Sequence, residues 1–379
     1  MIEKINRLNQ KGNKVTIIGM KKSGFAAALL GNHLGSTIFV SDINKNKEVI
    51  NNRDALDDKG IDCEIGKHTN RIYDSDYWVI SPGVPSDIDI IKKAKEKKIP
   101  IIGEIEFASK LTNLPIIAVT GSNGKSTTVS IMYNMLRTEN LRPILAGNIG
   151  IPLSKVILEE IKNPDIGNIL ILEISSFQLE FINHFRPMIS VFLNISPDHL
   201  DRHKNMDEYI KMKLKMITNS KGNDKIVYNE DDDIFRNYFC GQRSNEIRFS
   251  IKNKTQFFSV NKTKIYDQNN ELFCSLDEVL LKGKHNLSNL IASATVAKIL
   301  NVDSQTIKNT MKNYSGIDHR LQTIRKLNGV TYINDSKATN IQSVIVATNS
   351  FNNPIILILG GKNKNSDFRL LLPHTKRHV

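Results

Sequence analysis

Residues 118 to 128 read Ala118-Val-Thr-Gly-Ser-Asn-Gly-Lys-Ser-Thr-Thr128. Two glycines let backbone N–H groups approach a polyphosphate closely, and a lysine followed by hydroxyls can meet its charge and ligate Mg²⁺. That chemistry requires a strand before the loop and a helix after it, whose N-terminus adds a partial positive charge. The apolar run Leu114–Val119 supplies the strand, and Val129–Leu136 reads as the helix. The spacing differs from the common phosphate loop, which would place a glycine where this chain has Val119. Gly121, Asn123, Gly124, Lys125, Ser126 and Thr127 are nevertheless predicted to hold the phosphates of ATP.

Two further residues stand where ligands collect in open α/β sheets, at the carboxyl ends of strands. Glu173 closes the apolar run Ile169–Leu172, and His199 follows Ile189–Leu193. A carboxylate and an imidazole beside a polyphosphate suggest Mg²⁺, which takes few protein ligands. By spacing alone they read equally as an acid at a helix start and a loop histidine.

The elements positioning these residues follow a repeated strand–helix grammar, which predicts an α/β fold built on open, largely parallel sheets. A first segment, residues 1–103, carries strands at Val15–Ile18, Ile38–Val40 and Tyr77–Ile80. A second, 104–315, holds the Gly loop, strands at Ile226–Tyr228 and Ile247–Ile251, and a long helix from Leu287 to Leu300 opened by Gly283-Lys-His-Asn286. A third, 316–379, shows a strand at Val330–Ile333, a helix from about Ile341 and a strand at Ile355–Leu359. It is shorter than a free-standing doubly wound domain needs, so it is expected to be incomplete, leaving the protein poorly soluble or inactive. Hinges are expected near 100–105 and 312–318.

The 379 residues carry a formal net charge of +13 and three cysteines. The basic residues are scattered, with no aromatic-interleaved strand or recognition helix, so nucleic acid is not expected as a partner. No apolar run reaches membrane-spanning length and the N-terminus has no signal-peptide core. Three widely spaced cysteines suit free thiols in a cytoplasmic protein.

Six motifs in order resemble the Mur ligases. They are Thr120–Thr127, Glu173-Ile-Ser-Ser-Phe-Gln-Leu-Glu180, Asn194-x-x-x-Asp-His199, Gly283–Asn286, His319-Arg320 and Asn334-Asp-Ser-Lys-Ala-Thr-Asn340. The resemblance runs from about residue 12 to 368 and is strongest to the branch that joins D-glutamate to UDP-N-acetylmuramoyl-L-alanine. It implies three domains: a Rossmann-like UDP-binding domain, a central ATPase-like domain and an incomplete Rossmann-like acceptor domain. It also implies an ATP- and Mg²⁺-dependent amide ligase of peptidoglycan synthesis, working as a monomer through an acyl phosphate.

Under that resemblance Lys125, His199 and Lys213 are catalytic. Ser126, Glu173, His199 and Lys213 serve Mg²⁺, with Lys213 matching a carbamylated lysine; read alone, it is one of three lysines on a basic helix. Asn286 and Asn289 match positions near adenine, although asparagine also caps helices. Arg320 and Asp335 match nucleotide contacts. Asn148 matches a contact to the uridine-nucleotide substrate, and Lys337, Thr339 and Lys364 match acceptor or phosphate contacts. In Gly19-Met-Lys-Lys-Ser-Gly24 the middle glycine of a dinucleotide fingerprint is Lys21, which disfavours an NAD enzyme. A diphosphate can still sit on the following helix beside Lys22 and Ser23, with Asp42, Ser81 and Gly83 around the nucleoside. Departures from the family pattern are Gln322, Lys362 and the C-terminus. The alternatives are a related Mur- or folylpolyglutamate-type ligase with another acceptor, or a nucleotide-sugar-binding remnant without activity.

Overall fold

The computed structural model describes residues 10–199, 202–239, 243–317, 319–351, 353–361 and 367–378. Two compact units emerge, and the chain passes between them repeatedly. The first comprises Met1–Thr120, Glu139–Ser190 and Lys211–Asp224; the second comprises Gly121–Thr138, Val191–Ile210 and Lys225–Val379.

The first unit opens with β1 (Lys14–Ile18), α1 (Lys22–His33), β2 (Thr37–Asp42), α2 (Lys47–Asp57), β3 (Asp62–Ile65), β4 (Tyr77–Ile80), α3 (Asp89–Glu96) and β5 (Ile101–Gly103). Their five strands form a parallel sheet in the order β3-β2-β1-β4-β5. Every residue of β4 is buried, as expected for a strand covered on both faces. Trp78 anchors one core cluster with Ile18, Ile72, Ile80, Ile91 and Ala94, and its indole N–H donates to the Ile72 carbonyl at 2.7 Å. Asp42, at the end of β2, accepts the Met20 N–H at 2.8 Å and both N–H groups of Asn44. Gly24 must lack a side chain, because a Cβ there would overlap the Gly19 carbonyl.

The chain continues with α4 (Glu104–Ser109) and β6 (Ile116–Thr120), then α5 (Lys125–Leu136) in the second unit. It returns to the first for β7 (Pro143–Gly147), α6 (Leu153–Lys162) and β8 (Ile169–Glu173). β8 lies between β6 and β7, parallel to both. Glu106 is fully buried, and its carboxylate accepts the backbone N–H groups of Asn183, His184 and Phe185 at 2.8 to 3.0 Å. These three N–H groups satisfy a carboxyl that is shut off from water.

β9 (Ile189–Phe192) carries the chain into the second unit and α7 (Met206–Leu214) back toward the first. Then follow β10 (Lys225–Asn229), α8 (Asp233–Phe239) and β11 (Glu246–Phe249), with β10 and β11 parallel. β12 (Phe258–Asn261), β13 (Lys264–Asp267) and β14 (Leu272–Ser275) make an antiparallel sheet. Next come α9 (Lys284–Ile299), α10 (Ser304–Asn313), β15 (Gln322–Leu327), β16 (Val330–Asn334), α11 (Ile341–Thr348) and α12 (Leu372–His378). β15 and β16 form a hairpin across Asn328 and Gly329, whose φ angles of 48° and 78° suit a two-residue turn.

Two expectations need correcting. The long helix begins at Lys284, not Leu287, because Gly283 with φ 101° ends the preceding loop and serves as its N-cap. Ile355–Leu359 is not a strand: Ile356 and Ile358 are 92% and 90% exposed. A strand exists only where a neighbour takes its N–H and C=O groups, and no described strand pairs with this run. Cys63 and Cys274 are free thiols, and Cys240 lies outside the described residues. No described helix is long and apolar enough to cross a membrane.

Candidate active site

The Gly loop of the second unit is held by side chains on the segment after β9. Asn123 N–H donates to Asn194 Oδ1 at 2.8 Å, and Asn194 Nδ2 returns to the Asn123 carbonyl at 3.0 Å. Ser122 Oγ donates to the Ser196 carbonyl and accepts the Ser196 N–H, both at 2.9 Å. Lys125 Nζ donates to the Gly121 and Ser122 carbonyls at 2.7 and 2.9 Å. Gly124, with φ 83°, is the N-cap of α5, and no side chain caps that helix. The first-turn N–H groups of α5 therefore face the loop.

α9 lies against α5, with Ser293 Oγ donating to the Thr128 carbonyl at 3.1 Å. A Cβ on Gly124 would overlap Asn289 Oδ1. The N-terminus of α11 reaches the same loop. Ser343 Oγ donates to Asn123 Oδ1 at 2.9 Å, and Asn340 Nδ2 lies 3.3 Å from both Asn123 Oδ1 and Asp198 Oδ2. Behind the loop is a cavity of about 350 Å³ whose lining includes Asn123, Gly124, Asn289, Arg320 and Asp335. Five residues predicted from four separate stretches of sequence are thus brought together, in a volume typical of a small-molecule site.

Among the described residues, two polar atoms of the predicted site are buried without partners: Thr127 Oγ1 and Arg320 Nε. A buried unsatisfied polar group is costly; a phosphate oxygen would accept from either, and a hydrated hard cation would suit the Thr127 hydroxyl alone. With the uncapped helix and the hydroxyls of Ser126 and Thr127, the residues fit a Mg²⁺-nucleotide. Burial raises the Asp335 carboxyl, which accepts the Leu321 N–H at 3.0 Å.

His285 also lines the cavity; burial, and then the charge of Arg320, push its imidazole down to about 4. The unfolded chain protonates this group near pH 6.5, the folded protein only near 4. Stability present above pH 6.5 is therefore lost as pH falls through that window, by about 3 kcal/mol at most. Denaturant midpoints between pH 4 and 7 are expected to flatten in His285→Asn; an unchanged slope would contradict the neutral imidazole.

Other predicted residues fall elsewhere. His199 adopts φ 53°, with Nε2 3.6 Å from Asp198 Oδ2. Asn286 is buried and donates to the Lys282 carbonyl at 2.8 Å, so it is not among the cavity residues. Lys337 and Thr339 are exposed, and Lys364 lies outside the described residues. In the first unit Glu173 is 3% exposed and accepts Asn148 Nδ2 at 2.9 Å. Lys213 is 1% exposed, contrary to a solvated helix face. Ser81 Oγ donates to the Gly19 carbonyl at 3.2 Å; Lys22 and Gly83 are exposed and Ser23 half-buried. Among the described residues no three His, Cys, Asp or Glu side chains form a metal-binding cluster.

Residues 119–297 match the model of the Mur ligase middle domain, and 14–90 match that of the MurD N-terminal domain. The UDP-N-acetylmuramoylalanine–D-glutamate ligase of Clostridioides difficile is 37% identical, over 98% of this chain and 83% of its own length. Those of Thermoanaerobacter pseudethanolicus and a Geobacillus species are 36% and 38% identical, over 94% and 95% of this chain and 79% and 80% of theirs. The chain belongs to the UDP-N-acetylmuramoylalanine–D-glutamate ligase family. Solved Mur ligases share the fold. MurC of Thermotoga maritima gives a TM-score of 0.56 at 18% identity, covering 89% of this chain and 77% of that one. The Neisseria UDP-N-acetylmuramate:L-alanyl-gamma-D-glutamyl-meso-diaminopimelate ligase gives 0.58 at 17%, covering 81% and 99%.

In this Mur ligase, sequence reasoning missed several cavity residues, among them Asn229, Asp231, Lys252 and Ser343. Asn229 ends β10 and Asp231 follows it, so the strand-end rule that found Glu173 would have found them too. Ser343 carried no signal beyond its place in the first turn of a helix.

Proposed function

We infer that this chain is an ATP-dependent ligase that joins D-glutamate to UDP-N-acetylmuramoyl-L-alanine in peptidoglycan synthesis. The observation that carries this reading is 36–38% identity to D-glutamate ligases along nearly the whole chain. The cavity behind the Gly loop supports it. A carboxylate repels nucleophiles. Moving the γ-phosphoryl group of ATP onto the substrate carboxylate removes that charge and installs a leaving group. The D-glutamate amine then attacks the acyl carbon, and the amide forms as phosphate departs. Such phosphoryl transfer depends on positioning and charge neutralisation.

In this assignment Lys125 neutralises the transferring phosphoryl group, while Gly121, Asn123, Gly124, Ser126 and Thr127 hold the phosphates. Asn289 serves the adenine end, with Asn286 supporting the start of the same helix from outside the cavity, and Arg320 and Asp335 serve the rest of the nucleotide. Mg²⁺ supplies charge neutralisation at the phosphate oxygens. Ser126, Glu173, His199 and Lys213 are assigned to it. Lys213 is assigned as a carbamate, because an anionic group would attract the metal where a buried ammonium would repel it. Lys22, Ser23, Asp42, Ser81, Gly83 and Asn148 are assigned to the UDP-linked substrate, and Lys337, Thr339 and Lys364 to the acceptor. We divide the chain functionally into 1–103, 104–315 and 316–379, and place it in the cytoplasm as a monomer serving cell-wall growth, shape and division.

Phosphate release tests the reading, with ATP, Mg²⁺ and UDP-N-acetylmuramoyl-L-alanine, with and without D-glutamate. Release that depends on D-glutamate is expected. Release driven better by another amino acid would favour a different acceptor.

A further inference from the structure

In the first unit one polar cluster leaves a ring nitrogen without a hydrogen-bond partner among the described residues. Ser41, buried in β2, donates its hydroxyl to Glu64 Oε1 at 2.7 Å, and Ser41 Oγ itself lies 2.6 Å from His68 Nδ1. Glu64 also accepts the Thr69 N–H at 2.9 Å and the Thr69 hydroxyl at 2.7 Å. Burial alone would raise its carboxyl, but the hydrogen bonds from Thr69 and Ser41 outweigh burial and hold it below the usual range. An ionised carboxylate only accepts. The single proton of Ser41 therefore points at Glu64, and the Ser41 oxygen accepts Nδ1–H of His68.

That arrangement fixes a tautomer. Burial lowers the His68 imidazole against the opposing charges of Glu64 and Asp42, so the ring is neutral. With its proton on Nδ1, it presents Nε2 as a bare acceptor. Nε2 has no hydrogen-bond partner among the described residues.

The position of the ring gives that acceptor a purpose. His68 follows β3, the outer strand on the β2 side of the β1/β4 switch point, at the carboxyl edge along which a ligand seated at that switch point extends. The neighbouring loops are tied to the same edge: Gly19 N–H donates to the Ser41 carbonyl at 2.9 Å and Gly66 N–H to the Asp42 carbonyl at 2.7 Å. Asp42 itself already binds Met20 and Asn44.

We propose that His68 Nε2 accepts a hydrogen bond from the uridine of the UDP-linked substrate, either from the imide N–H of the base or from a ribose hydroxyl. Ser41 and Glu64 are then positioning residues that set the tautomer. The inference rests on the UDP-binding reading of this unit.

The test measures kcat and KM of the full chain for UDP-N-acetylmuramoyl-L-alanine, its N3-methyluracil analogue and its 2′-deoxy analogue. Wild type, His68→Phe and His68→Gln are compared. His68→Phe is expected to raise KM for the parent substrate about tenfold, leaving kcat and KM for ATP unchanged and lowering the melting temperature by a few degrees at most. Wild type should disfavour one analogue by a similar factor, and His68→Phe should erase that preference. Loss of discrimination against the methylated analogue assigns the imide; loss against the deoxy analogue assigns the ribose. His68→Gln, whose amide oxygen can accept, should restore part of the affinity. Equal weakening of all three ligands, or none, overturns the proposal. Failure of wild type to use any UDP-linked substrate overturns the underlying reading instead, and is seen before any variant is made.

Discussion

Lys125→Met is expected to lower kcat about a thousandfold while leaving the fold in place. Removing one group that stabilises charge in a transition state costs roughly 3–4 kcal/mol when water is excluded, which corresponds to 10²–10³ in rate. The lysine also holds the Gly121 and Ser122 carbonyls, so its loss could instead disorder the loop. The remaining ties argue against that outcome: Asn194 grips Asn123 through two hydrogen bonds, and Ser122 and Ser196 exchange two more. The variant should therefore melt within a few degrees of wild type and still bind ADP. Turnover near the wild-type level would remove Lys125 from the phosphoryl step. A large drop in melting temperature would mean that its role is structural.

Gly124→Ala is expected to damage stability and nucleotide binding together. At φ 83° an alanine pays about 1–2 kcal/mol that glycine does not. Its Cβ would also overlap Asn289 Oδ1, forcing α9 or the Asn289 side chain to move. Because both residues line the cavity, the displacement reaches the site itself. A loss of about 2–4 kcal/mol in denaturant unfolding and a KM for ATP raised at least about tenfold are expected. Adding Asn289→Gly should relieve the overlap but not the backbone strain, so only part of the stability returns. Wild-type stability in Gly124→Ala alone would show that the loop can adopt another conformation at that residue.

Much of the chemistry was legible because it sits where local sequence dictates local structure. An apolar run, two glycines and a lysine before a helical pattern define the Gly loop, and β6 and α5 flank it as expected. β1, β4 and β8 were equally plain, being short, buried and apolar. What could not be read is what depends on distant partners. Ile355–Leu359 has a strand's composition but no ladder to join. Lys213 shares its helix with Lys211, yet only packing tells the buried residue from the exposed one. The bond from Asn148 to Glu173 joins two residues predicted for different ligands. The Ser41–Glu64–His68 cluster left no mark in the sequence, because its members meet only once β2 and β3 are paired.

The alternation of the chain between its two units constrains how the protein can be made. The first unit needs residues as late as Asp224, although its first long stretch ends at Thr120. At ribosomal speeds of about 5–20 residues per second, roughly a hundred residues must still emerge, which takes on the order of ten seconds. During that interval β6, with every residue destined for burial, is already synthesised while its neighbour β8 is not. The nascent polypeptide therefore has a window in which apolar strand edges invite chaperones or aggregation. For the same reason, cutting the gene at the Gly loop yields no self-sufficient piece.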